Sequence, residues 1–96
     1  MGYNAGAAVS TGASNTFIGG LAGDATTTAS YNTALGSATL TTNTTGAHNV
    51  ALGSDALGQN TTASDNTAIG SSALYANTTG ASKVAVGRQA LSLIHI

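Results

Sequence analysis

The chain has 96 residues and a mass of 9.2 kDa, which is enough for one small domain. Ala, Thr, Gly, Ser and Asn occupy 66 positions, and only five residues are charged, giving a net charge of −1. This composition excludes electrostatic binding of nucleic acid or anionic membranes, which requires clustered Lys and Arg. The absence of Cys excludes disulfides and thiolate metal sites. No apolar run approaches the ~20 residues of a membrane span, and large apolar residues are too scarce for an ordinary globular core.

A repeat of 17 residues runs through the chain. Each unit begins with Asn, which Lys83 replaces in the last unit, and Gly follows four residues later with an apolar residue directly before it. The Asn series is Asn15, Asn32, Asn49 and Asn66, and the Gly series is Gly2, Gly19, Gly36, Gly53, Gly70 and Gly87. A fixed period without insertions is typical of a stacked architecture.

The first element of each unit is predicted to be a short strand. In the unit that begins at Asn49, Val50 and Leu52 alternate with Asn49 and Ala51. One face of the strand therefore carries β-branched or aliphatic residues, and the other carries Asn and Ala. The next residue, Gly53, is expected to form a bend with positive φ or a close backbone approach, because its column is Gly in every unit.

A second short strand is predicted after the Gly bend. It carries a Leu that recurs as Leu40, Leu57, Leu74 and Leu91, with Gly6 and Gly23 in the first two units. A polar turn then closes the unit, because short polar side chains can hydrogen-bond their own backbone there. The Asn-Thr-Thr segments at 43–45, 60–62 and 77–79 also match the N-glycosylation acceptor pattern. The turn explanation is preferred, since it also accounts for the period.

Together these units predict an all-β fold, a parallel β-solenoid with one coil per 17 residues, because a single unit cannot bury its apolar face alone. The array is expected to cover residues 1–91 in about 5.5 coils and to be a fragment of a longer array. Residues 92–96 depart from the repeat and resemble translated sequencing-adapter sequence, so they are expected to be a tail outside the fold. Identical Asn and Thr residues are expected to stack in hydrogen-bonded ladders. The expected core residues are Val50, Leu52, Leu57, Ile69, Leu74, Val84 and Val86.

The third position of each unit is small and apolar in four of five units, as Ala34, Ala51, Ala68 and Ala85. Solvent would not restrict this row to small residues. We therefore expect the row to be the contact face of a homo-oligomer. The alternative is that these Ala residues face inward at a tight corner of a monomeric solenoid.

The segments 49–57 (Asn-Val-Ala-Leu-Gly-Ser-Asp-Ala-Leu) and 66–74 (Asn-Thr-Ala-Ile-Gly-Ser-Ser-Ala-Leu) resemble the head repeat of trimeric autotransporter adhesins, the YadA-like heads. Similar repeats occur in phage tail fibres and bacterial surface proteins. The resemblance covers residues 1–91 and implies a left-handed β-roll, a homotrimer about one axis, and a structural or adhesive role. It also implies a location on the bacterial cell surface or a virion fibre, with a host surface or extracellular matrix ligand as partner. The first unit departs from the pattern, with Phe17, Leu21 and Gly23 where later units have Ala, a polar residue and Leu.

No pattern indicates catalysis, and the chain is expected not to be an enzyme and to need neither cofactor nor metal. Asp24, Asp55 and Asp65 lie in different columns and give no carboxylate pair for acid–base chemistry. His48 stands in a variable column and is expected to be a solvated turn residue. The segment 19–24 (Gly-Gly-Leu-Ala-Gly-Asp) is similar to calcium-binding solenoid repeats, but it occurs only once.

Ice binding is the alternative function, because stacked Thr pairs present hydroxyls at the regular spacing of the coils. Neighbouring residues of a strand point to opposite faces, however. Thr44 and Thr45 are therefore expected not to share one flat face, which favours the structural or adhesive role.

Overall fold

The computed structural model describes residues 2–91, so Met1 and the predicted tail at 92–96 lie outside the described residues. The chain forms a β-solenoid whose strands are three residues long and stack in one parallel sheet in chain order. Each strand residue pairs with the residue 17 positions further along the chain. The predicted all-β parallel solenoid with 17-residue coils is confirmed. The strands are β1 (Thr16–Ile18), β2 (Thr33–Leu35), β3 (Val50–Leu52), β4 (Thr67–Ile69) and β5 (Val84–Val86).

The prediction of a second strand in each coil is wrong, because the recurring Leu lies in a turn. Leu40, Leu57 and Leu74 have φ angles of 49, 51 and 50°, in the left-handed region, which a strand does not use. This conformation costs an L-residue about 1–2 kcal/mol. Full burial of each Leu side chain offsets that cost, since it stabilises the fold by roughly 1.5–3 kcal/mol.

The interior is filled by Ala and by one Leu per coil, and the aliphatic row of the strands faces outward. Ala51 and Leu57 are fully buried and belong to one apolar cluster, whereas Leu52 is 38% exposed and Val86 is 67% exposed. A 17-residue coil encloses a narrow space, and the Leu that enters it from the turn leaves room for only small side chains on the strand. The core prediction is confirmed for Leu57 and Leu74. It is wrong for the outward residues of the strands, which are Val50, Leu52, Ile69, Val84 and Val86.

Two columns of Asn, all buried except Asn15, hold the coils together, which confirms the predicted Asn ladders. The strand Asn column precedes each strand, and in it the Oδ1 atom of Asn32 accepts a 3.0 Å bond from the backbone N–H of Asn49 in the next coil. The turn Asn column lies in the polar turn, and in it the Nδ2 atom of Asn60 donates to Oδ1 of Asn43 in the preceding coil at 2.8 Å. The members are Asn15, Asn32, Asn49 and Asn66 in the first column, and Asn43, Asn60 and Asn77 in the second.

The two Asn columns meet at one backbone carbonyl in each of three coils. The carbonyl oxygen of Ala63 accepts bonds from Nδ2 of Asn49 at 2.9 Å and of Asn60 at 3.0 Å. Gly46 and Gly80 accept the corresponding pairs in the neighbouring coils. The buried amides are therefore paired with backbone groups and with each other, as buried polar groups must be to avoid a desolvation penalty.

In the irregular first unit, a large side chain in the strand column takes the space that the recurring Leu fills in later units. Phe17 replaces the small strand residue, and its ring lies where the side chains of residues 6 and 23 would otherwise point. A Cβ atom on Gly23 would be 2.6 Å from the ring, and one on Gly6 would be 2.9 Å from it. One large residue in the strand column thus fills the space that Leu fills in later coils.

The predicted bend at the recurring Gly is confirmed. Gly53 has a φ of +123°, and the six described members of this Gly column have φ between 116 and 132°. A Cβ atom on Gly53 would lie 2.7 Å from the carbonyl carbon of Gly70 in the next coil. Glycine is required here for two reasons, a backbone angle that L-residues rarely adopt and close approach of the next coil.

Candidate interaction surfaces

The described residues 2–91 contain no pocket for a small molecule, and within them no three His, Asp or Glu side chains gather around a common point. That part of the chain also has no helix that could cross a membrane. Contacts of these residues with a ligand or a partner would therefore be made by the outer surfaces of the solenoid.

The outer sheet face groups six of the exposed large apolar residues within residues 2–91: Ile18, Leu35, Val50, Leu52, Val84 and Val86. It consists of the two outward positions of each strand, and the parallel pairing aligns them in two columns along the stack. Its central aliphatic residues, Leu35, Val50 and Leu52, are 38–42% exposed. No charged residue belongs to it. The first column is Thr16, Thr33, Val50, Thr67 and Val84, and the second is Ile18, Leu35, Leu52, Ile69 and Val86.

The prediction that the Ala row contacts another chain is wrong. Ala34, Ala51 and Ala68 are fully buried and Ala85 is 4% exposed, all within one chain, because these residues line the inside of the coil. The inward orientation in the alternative is confirmed, although the Ala residues lie at the middle of the strands and not at a corner. The sequence contained the signal for the correct orientation: a row limited to Ala on one strand face indicates the side with the least space.

A second surface, the Thr-pair surface, consists of the Thr pairs of the polar turns. The prediction that Thr44 and Thr45 do not share one flat face stays a prediction: Thr44 is half-buried and Thr45 is exposed. The chain bends here instead of running as a strand, so that Asn43 and Gly46 on either side are buried while both Thr residues remain at the surface. The pairs are Thr27–Thr28, Thr44–Thr45, Thr61–Thr62 and Thr78–Thr79.

The position of the turn Asn column argues against N-glycosylation of the folded chain. Asn43 and Asn60 are fully buried, and their Nδ2 atoms donate to the backbone inside the coil. Asn77 is 4% exposed and makes the corresponding bond. A glycosyltransferase could reach none of these nitrogens without unfolding the turn, which supports the structural explanation of the pattern.

The remaining candidates are dispersed. His48 is exposed, as predicted, and its ring stacks on that of Tyr31 in the preceding coil, with centroids 4.9 Å apart and an interplanar angle of 13°. Asp24 accepts a 3.0 Å bond from the hydroxyl of Thr41. Asp24, Asp55 and Asp65 form no cluster with one another among the described residues.

No protein-family model, curated protein or solved structure matches the chain.

Proposed function

We propose that the chain is a non-catalytic module of a surface fibre, with a structural or adhesive role, and that it works as a homotrimer of left-handed solenoids. The resemblance of its repeats to YadA-like heads supports three chains, the handedness and a location on the bacterial cell surface or a virion fibre. The observation that carries the proposal is the outer sheet face, an uncharged surface with an aliphatic residue on each of the five strands and Thr at three of its ten positions.

The outer sheet face has the chemistry of a contact between identical chains. Aliphatic side chains at every coil lose contact with water when two such faces pack together, and burial stabilises a complex by about 25 cal/mol per Å². Since the ten positions of the face carry no charge, packing of these positions buries no unpaired ion. Copies of one chain share the same coil spacing, so their columns stay aligned along the whole contact. Three copies about an axis form a closed arrangement that covers the face on each chain.

The size of the face sets the expected strength of association. Strands ~4.8 Å apart and residues ~3.3 Å apart give five three-residue strands a face of roughly 240 Å². Stable interfaces bury about 800 Å² per partner, so flanking columns must contribute and association at this length is expected to depend on concentration. Every added coil enlarges the contact, which suits a long fibre. The tip or sides of the fibre would then carry the contact with a host surface or an extracellular matrix ligand.

Light scattering on a chromatographic peak tests the trimer, at chain concentrations from low to high micromolar. The expected result is three times the chain mass at the upper end. Leu52→Lys places a charge at the centre of the outer sheet face and should give a folded monomer. Gln59→Lys, which adds the same charge at an exposed position in the polar turn, away from that face and its flanking columns, should leave the trimer intact. A folded wild-type monomer at high micromolar concentration, or a trimer that survives Leu52→Lys, would rule out this assembly.

A further inference from the structure

The Thr-pair surface has a repeating and internally fixed arrangement of hydroxyl groups. In three of the four pairs, the first Thr donates its Oγ1 hydrogen to the backbone carbonyl of the equivalent residue in the next coil. These distances are 3.3 Å from Thr27 to Thr44, 3.2 Å from Thr44 to Thr61 and 3.4 Å from Thr61 to Thr78. Because the bond recurs in successive coils, the side chains of this column share one orientation.

The second Thr of each pair presents a free hydroxyl to solvent. Thr28, Thr45, Thr62 and Thr79 are all exposed, and within residues 2–91 their hydroxyls have no protein partner. The column repeats at the coil spacing of about 4.8 Å. Each hydroxyl can donate one hydrogen bond and accept others, so a row of them can hold a row of water molecules.

The surroundings of the Thr pairs are uniform and rigid. The segments 25–30, 42–47, 59–64 and 76–81 contain no charged and no aromatic residue. Beneath three of the four pairs, the turn Asn column ties the backbone of neighbouring coils together through buried bonds. The Thr pairs themselves offer no counter-charge to an ionic ligand and no ring to a polysaccharide, whereas Lys83 reaches Gly80 beside the last pair and the stacked Tyr31 and His48 follow Thr28 and Thr45 by three residues.

We propose that the Thr-pair surface binds ice. A rigid, uncharged array of hydroxyl and methyl groups repeating along one axis matches a ligand that is itself a repeating array of water molecules, and it offers little to a single soluble ligand. The objection raised by strand alternation does not apply to the Thr pairs, because they lie outside the five strands. This function is independent of the proposed trimer, since it uses different side-chain columns from the outer sheet face.

The test measures thermal hysteresis and ice-crystal shape in solutions of the purified chain, with circular dichroism to verify folding. We expect thermal hysteresis for the wild type. The double variant Thr45→Lys with Thr62→Lys interrupts the exposed column at two central coils and should abolish it. Thr45→Val, which retains the methyl group and the exposed position, should reduce it. Ser54→Lys, outside the Thr-pair surface, should retain it.

A folded wild-type chain without thermal hysteresis would overturn the proposal, as would full activity in the double Lys variant. Retention on insoluble polysaccharide without any effect on ice would also overturn it and would identify a different ligand. Light scattering reports the mass of the assembly and thermal hysteresis reports ice binding. The two measurements therefore distinguish a failure of the trimer from a failure of ice binding.

Discussion

Thr26 is the one buried side chain that the fold leaves without a hydrogen-bond partner among the described residues. It occupies the position that Asn43, Asn60 and Asn77 hold in later coils. The local backbone is the same, since the N–H groups of Thr26 and Asn43 each donate to the carbonyl three residues earlier, at 3.0 and 3.2 Å. Thr26→Asn should therefore extend the turn Asn column by one coil and stabilise the protein.

The magnitude follows from the bonds made by the equivalent residues. An Asn at position 26 can donate to the carbonyl of Ala29, as Asn43 donates to Gly46 at 3.0 Å. It can also accept from Nδ2 of Asn43, as Asn43 accepts from Asn60 at 2.8 Å. Each added bond contributes about 1 kcal/mol, and the unpaired hydroxyl of Thr26 is removed. The sum is a stabilisation of about 2 kcal/mol, which raises Tm by roughly 10 °C in a domain of this size.

Thermal and urea unfolding followed by circular dichroism measure this change, with all variants at one protein concentration because association shifts Tm. Thr28→Asn is the matched control. It makes the same substitution at an exposed site, where the free energy of unfolding should change by less than about 0.5 kcal/mol. An unchanged or lower Tm for Thr26→Asn would refute the reasoning, because it would mean that buried amide bonding does not hold the coils together.

Two further sets of substitutions test the packing. Phe17→Ala should lower the free energy of unfolding by about 3–5 kcal/mol. Adding Gly23→Leu should restore much of this stability, because the φ of Gly23, +57°, is close to that of Leu40, +49°. Additive effects in a double-mutant cycle would contradict the idea that Phe17 fills the space of the missing Leu. Gly53→Val should cost more than about 3 kcal/mol because its Cβ meets backbone, whereas Gly58→Val meets mainly the partly exposed ring of Tyr75 and should cost about 1–2 kcal/mol. Equal losses of Tm would place the obligatory bend elsewhere.

The repeat made much of the architecture predictable. A period of 17 with no insertions determined the coil length, the parallel register and the stacking of identical residues, because equivalent residues of a solenoid must lie above one another. The Gly that recurs in every unit, such as Gly53, was predicted to form a bend, and the recurring Leu, such as Leu57, was predicted to lie in the core. These inferences depend only on which residues recur and at what interval.

The direction in which each strand faces was not predictable from alternation alone. Alternation separates Val50 and Leu52 from Asn49 and Ala51 but does not say which set is inside. Hydrophobicity favoured the larger residues, and the structure placed Ala51 and Asn49, whose side-chain amide is hydrogen-bonded at both Oδ1 and Nδ2, inside instead. Paired amides can occupy a narrow interior at little cost, and hydrophobicity by itself takes no account of that pairing.

The sequence by itself determined the period, the register, the Gly bend and the columns that stack. Only the tertiary structure decided that Leu57 enters the core from a left-handed turn, and that the strand aliphatics and both Thr residues of each turn lie outside. The physical reason is space. The interior of a closed 17-residue coil has a fixed width, and this width limits the size of the side chains that fit inside. The sequence of a single unit does not show how wide the interior is.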